Sequence, residues 1–159
     1  MATKAEQAFE SWKAAEGQPE GTGEWFQIDQ DRINAFADTT LDHQFIHVDP
    51  EKCKELSPWG VPIAHGFLTL SMLVHLNASI EKDMSRYDGV VMGVNYGFEK
   101  VRFINPVKVG SRIRSHSVLS KVELKDPNTI HTTSTVTVEI EGETKPAVVA
   151  EWVTRLVYG

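Results

Sequence analysis

Two spacings of apolar residues divide this chain. Over residues 3 to 15, Ala5, Phe9 and Trp12 fall close to one stripe among good helix formers, and this spacing predicts an amphipathic helix packed as an accessory. Glu24 to Ile28 reads as a short strand, after which Asp29 or Asp31 can cap a helix carrying Ile33, Phe36 and Ala37 at core spacing. That helix delivers the chain to Asp42. Asp49 followed by Pro50 has the form of an N-cap with proline at the first helical position, where the missing N–H has no intrahelical acceptor to lose. This short helix ends before Pro58-Trp59-Gly60. From Ile63 to Ile80 the apolar residues Ile63, Phe67, Leu68, Leu70, Met72, Leu73, Val74 and Leu76 lie on most sides of a helix. A nearly enclosed helix of about 27 Å is expected there, at 1.5 Å per residue.

Beyond residue 90 the period becomes two. Val94, Tyr96 and Phe98 alternate with their neighbours, as do Ile130, Thr132, Ser134, Val136, Val138 and Ile140, and Ala147 to Tyr158 is rich in valine. Asn105-Pro106, Lys125-Asp126-Pro127-Asn128 and Glu141-Gly142-Glu143 punctuate these runs as turns, so consecutive strands should be antiparallel. The expected class is α+β: a curved antiparallel sheet wrapped around one long central helix. Residues 1–159 form a single domain in this reading, with a short N-terminal helical extension of about residues 1–23.

Composition narrows the function classes. A chain of 159 residues, 41% hydrophobic and 24% charged, is an ordinary globular domain, and its formal charge of −6 argues against a nucleic-acid footprint over the whole surface. Cys53 has no partner for an internal disulfide, and the first residues lack the apolar run of a secretion signal, so a reducing cytoplasmic setting is expected. The most apolar run, Gly66 to Leu76, falls short of the ~20 residues that span a bilayer. Neither a nucleic acid nor a membrane is therefore an expected partner.

The candidate chemistry sits in Leu41-Asp42-His43-Gln44-Phe45-Ile46-His47-Val48-Asp49-Pro50 and in Pro62-Ile63-Ala64-His65-Gly66-Phe67-Leu68-Thr69-Leu70. Asp42 and His47 are five residues apart in a segment that breaks helix, and they can converge as an acid/base pair in front of the long helix. The bland alternative is a loop cap and a satisfied half-buried histidine. Gly66 falls at the first turn of that helix, where a backbone N–H lacks an intrahelical acceptor and can donate to a developing oxyanion. If its φ is negative, alanine there should keep or raise stability while activity falls. His65, beside a helix terminus, reads as a structural hydrogen-bonder. His43 and His47 with Asp42 and Asp49 have metal-ligand types, but the His-Glu-x-x-His arrangement is missing and no metal is assigned. Cys53 reads as packing.

These blocks, with Asn95-Tyr96-Gly97-Phe98-Glu99-Lys100-Val101-Arg102-Phe103 and Pro106-Val107-Lys108-Val109-Gly110, resemble the MaoC-like dehydratase family over roughly residues 24 to 158. That family holds the (R)-specific enoyl-CoA hydratases and a nodulation-protein-N-like subgroup, which fits better. The resemblance implies a hot-dog fold, a homodimer, and reversible syn addition of water to a trans-2-enoyl thioester, giving an (R)-3-hydroxyacyl thioester. It puts the catalytic dyad on Asp42 and His47 with water between them, and the thioester oxygen on the Gly66 N–H. No cofactor is implied, since coenzyme A is part of the substrate. Gln44, His65, Lys100 and Arg102 are candidate substrate-binding residues. Lys100, Arg102, Lys108, Arg112 and Arg114 together would suit the phosphates of coenzyme A, while each singly is as well read as a solvated strand face. The chain departs from the pattern at Leu41, where Gly or Glu is usual, and at Gln44-Phe45, where many hydratases have Asn-Pro. A supporting serine falls here at Val74, with Ser71 nearby. An acyl-thioester binding module without turnover and a hot-dog thioesterase are the competing readings.

Overall fold

The computed structural model describes residues 1–159. In chain order the elements are α1 (Lys4–Ala14), β1 (Pro19–Thr22), β2 (Phe26–Gln27), α2 (Gln30–Thr40), α3 (Phe45–Val48), α4 (Pro50–Leu56), α5 (Gly66–Ser71), α6 (Leu73–Ala78), a 3-10 turn (Met84–Tyr87), β3 (Val90–Phe103), β4 (Arg112–Asp126), β5 (Thr129–Ile140) and β6 (Val148–Tyr158). All strand pairs are antiparallel, in the order β1-β4-β5-β6-β3, with β2 also paired to β4. Register shifts interrupt the β1–β4, β3–β6 and β4–β5 ladders, and such bulges bend and twist a sheet. The sheet wraps α5 and α6, as the alternation in the back half leads one to expect.

The main core joins the helices to the concave sheet face. Ile33 of α2, Leu68 of α5, and Leu73 and Leu76 of α6 pack with Ile113, Val136, Val138 and Val148, all buried. A second core forms around α1, where Ala5 and Trp12 meet Leu119, Ile130, Leu156 and Tyr158. Thr3 and Glu6 form a reciprocal capping box that starts α1. The first 23 residues therefore hold a helix and also a sheet strand, β1, which the sequence pattern did not reveal. Asp29 caps α2 by accepting from the Arg32 N–H, and Asp49 caps α4 with Pro50 next to it, both at expected positions.

The central helix differs from its expectation in three ways. It begins at Gly66, because Ile63 and Ala64 are extended: the Ala64 N–H donates to the Val107 carbonyl, and Ile63 bridges Lys108. It is divided at Met72, where the Ser71 hydroxyl has turned back to the Phe67 carbonyl at 2.7 Å, a bond that bends helices. It is not enclosed: Phe67 is 66% exposed and Val74 55%. The exposure continues onto β3, which pairs only with β6 and leaves Val91, Met92, Tyr96, Phe98 and Phe103 open.

One backbone feature stands next to the candidate site. Leu41 closes α2 in the left-handed region, at φ 64° and ψ 23°, and is the sole non-glycine residue with positive φ. Its Cβ crowds the backbone there, and its side chain is exposed, so no packing offsets the cost. Leu41→Gly should stabilise the fold by about 0.5–1 kcal/mol, the steric relief being partly offset by glycine's greater freedom when unfolded. Chemical denaturation measures it, and a lower midpoint for the variant would contradict this account.

Candidate active site

Asp42 follows Leu41 in the connection between α2 and α3, and His47 lies within the single turn α3. The Ile63 N–H donates to the Ile46 carbonyl at 2.9 Å, which ties the segment before α5 to that turn. His47 and His65 are both buried, at 7% and 2% exposure, whereas the Asp42 side chain is about half exposed. One ligand atom from each of the three residues lies within 4.8 Å of the others. The structure thus brings Asp42, His47 and His65 into one small volume.

Their hydrogen bonds determine the tautomers. His47 Nδ1 is 2.7 Å from the Ile63 carbonyl oxygen, which can only accept, so Nδ1 carries the hydrogen and Nε2 keeps its lone pair. His65 Nε2 is 2.9 Å from the Asp42 carbonyl oxygen and donates to it by the same reasoning. His65 Nδ1 is a buried atom with no partner. The two rings stack at 3.8 Å and 20°, and Phe36 packs against His65 at 4.9 Å. Burial holds the His47 pKa below the usual histidine value and the neighbouring His65 lowers it further, outweighing the Ile63 carbonyl and the Asp42 carboxylate, which raise it. His47 is therefore neutral at pH 7 with a free Nε2 lone pair, the state a general base requires.

Gly66 is the first residue of α5, so its N–H has no intrahelical acceptor, and His65 next to it joins it to the cluster. A pocket of about 220 Å³ opens beside it, lined by Thr69, Phe103, Pro106 and Val148 among others. Its φ lies outside the left-handed region, but a Cβ here would come within 2.9 Å of the Phe103 ring. The expectation that alanine keeps or raises stability is thereby corrected: the half-exposed ring must shift first.

The remaining candidates divide. Gln44 is exposed, and its backbone N–H approaches Asp42 Oδ1 at 3.4 Å. Lys100 and Arg102 stand exposed on β3, and Lys108 is exposed opposite Ile63. Arg112 and Arg114 do not join them as a phosphate cradle: they pair with Glu141 and Glu139 across the ladder and stack on Trp25. His43 is tied to Asp38, and Asp49 is used as a cap. Two rings stacked face to face aim their in-plane lone pairs side by side, so His47 and His65 are poorly arranged to share one ion. The Cys53 thiol is buried, and burial raises its pKa, which suits packing. The Ser71 hydroxyl is spent on Phe67, so support of Asp42 falls to His65 and the Gln44 amide.

Sequence reasoning missed Gln30, whose Nε2 donates to the His47 carbonyl at 2.7 Å, and the contact of Phe36 with His65. Both residues lie on α2, which the periodicity located, but the face that α2 turns toward α3 is set by tertiary packing.

The model of the MaoC-like domain matches residues 11–141. The nodulation protein N of Rhizobium meliloti is 51% identical over 137 residues, covering 86% of this chain and 83% of that protein. The 3-hydroxyacyl-thioester dehydratase Z of Mycobacterium tuberculosis is 47% identical over 144 residues, covering 91% and 92%. Among solved structures, the (R)-hydratase of A. caviae involved in PHA biosynthesis superposes with a TM-score of 0.67 at 22% identity, over 87% of this chain and 93% of that one, and so shares the hot-dog fold. On this agreement of family model, relatives and fold, the chain belongs to the MaoC-like dehydratase family, alongside the nodulation N proteins.

Proposed function

We propose that this protein is an (R)-specific enoyl-CoA hydratase, a hydro-lyase that adds water reversibly and syn to a trans-2-enoyl thioester to give the (R)-3-hydroxyacyl thioester. The observation that carries this reading is the convergence of Asp42 with a neutral His47 whose Nε2 lone pair is free, next to the unpaired Gly66 N–H. A water held between the carboxylate and Nε2 loses a proton to the pair as its oxygen bonds to the β-carbon. The pair returns a proton to the α-carbon on the same face. The Gly66 N–H donates to the thioester oxygen as it gains enolate charge, and the start of α5 adds favourable potential. His65 holds the Asp42 backbone and Gln30 holds His47, both as positioning residues. The 47% identical dehydratase of M. tuberculosis bears a name for the same reaction class, which supports this reading.

The substrate is a thioester of coenzyme A or of a related carrier, in a fatty-acid type of metabolism at a cytoplasmic site, and no helix here is long and apolar enough to cross a membrane. Exposed Lys100, Arg102 and Lys108 are available to the phosphates of coenzyme A. The open edge of β3, with Met92, Tyr96 and Phe98 exposed on it, is best covered by a second copy of the chain, making a homodimer.

Three outcomes are expected. With trans-2-enoyl-CoA, enoyl absorbance should fall while the thioester stays intact; release of free CoA would indicate hydrolysis instead. Asp42→Asn and His47→Gln should each fold and lose at least ~100-fold in turnover, and the double variant should be little worse than either, because both act on one water. Near-native rates in both single variants would remove this site from the mechanism. In solution the chain should sediment as a dimer at micromolar concentration, and a monomer there would contradict the edge-pairing account.

A further inference from the structure

A second cavity lies outside the cluster of Asp42, His47 and His65. It measures about 760 Å³ and lies between α1, the end of α6 and the concave face of the sheet. Trp12, Tyr87 and Trp152 give it aromatic walls, but its polar groups distinguish it. Glu20 lies at the register shift between Pro19 and Gly21 in β1, and a bulge of this kind re-aims a side chain. Its Oε2 accepts from Ser117 Oγ at 2.6 Å and Ser134 Oγ at 2.7 Å, while no protein donor reaches Oε1. Asn77 lines the same cavity, and its Oδ1 is buried without a partner. An amide oxygen buried there costs free energy unless a donor meets it, and the open Oε1 of Glu20 can accept from the same donor.

The central helix connects this cavity to the catalytic cluster. Phe67, Leu70, Val74 and Asn77 are spaced three, four and three residues apart and so share one face, which starts beside Gly66 and ends at the cavity. Phe67 and Val74 are open on it, and Val74 itself lines the cavity. The eleven residue-to-residue steps from Gly66 to Asn77 correspond to roughly 16 Å at 1.5 Å per residue. A chain of on the order of ten to fourteen atoms, with single bonds near 1.5 Å, covers that distance.

Resting on the hydratase reading, we propose that the acyl group lies along this face and that the cavity selects acyl groups with a hydroxyl at their far end. Glu20 and Asn77 accept from that hydroxyl, and the apolar stripe covers the intervening chain. Lys82 and Arg86 line the cavity alongside Glu81 and Asp83, with Arg86 Nε 3.3 Å from Asp83 Oδ2, so a charged end of either sign meets like charge there. A neutral donor satisfies both sets of charges.

The test compares kcat/KM of the wild-type protein for trans-2-dodecenoyl-CoA and its ω-hydroxy counterpart, with trans-2-butenoyl-CoA as a substrate too short to reach the cavity. The wild type should favour the ω-hydroxy substrate by about 10-fold, the scale of one hydrogen bond to an otherwise unpaired group. Asn77→Leu should bring the ratio to one or below, and Glu20→Gln, which keeps the shape, should reduce it. Hydration of all three substrates with no preference for the hydroxyl, or with preference for the alkyl chain, would overturn the inference and leave the hydratase reading intact. Failure to hydrate even the short substrate would sink that reading, and this inference with it. The wild-type ratio decides the matter even if a variant does not fold.

Discussion

The hydrogen bond from His47 Nδ1 to the Ile63 carbonyl is the contact on which the site depends. It joins α3 to the extended segment that leads into α5, and that segment is itself fixed to the sheet through Ile63–Lys108 and Ala64–Val107. It also decides which imidazole nitrogen is free. A buried ring N–H left unpaired would cost about 1–3 kcal/mol, so tautomer and backbone position hold each other in place. Asp42 is placed from the other side, by His65 Nε2 at its carbonyl and by the end of α2 at Leu41. Two stacked histidines thus have different work: His47 presents a lone pair, and His65 holds the acid.

The fold places these groups at one end of the central helix and a cavity of about 760 Å³ at the other. Core residues Leu68, Leu73 and Leu76 hold the helix against the sheet on one side, while Phe67 and Val74 remain open on the other. The same open face meets β3 where Phe67 packs edge-on against Phe103, and β3 pairs only with β6.

Much of this was legible in the residues. Alternation in the back half located β3, β5 and β6, the Asp49-Pro50 pair located α4, and the Asp42–His47 spacing singled out two groups that lie close together. What escaped was set by register and tertiary contact. β1 is four residues at the sheet edge, Pro19-Glu20-Gly21-Thr22, with no apolar alternation to mark it. Ile63 fits a helical pattern by composition yet is extended, because the Val107 and Lys108 backbone offers it a ladder. Arg112 and Arg114 looked like free positive charge until the ladder placed Glu139 opposite Arg114 and Glu141 within reach of Arg112. The role of Glu20 depends on a bulge, and nothing local in the sequence encodes one.

The central claim is that His47 is a neutral imidazole, protonated on Nδ1, whose Nε2 is free to take a proton. Nitrogen-15 NMR of histidine-labelled protein, assigned with His47→Gln, observes this directly. The account requires an unprotonated Nε2 and a protonated Nδ1 at pH 7. It also requires a titration midpoint below the ordinary ~6.5, because burial disfavours the charged ring. A hydrogen on Nε2 at pH 7, or a midpoint above the ordinary value, would contradict it.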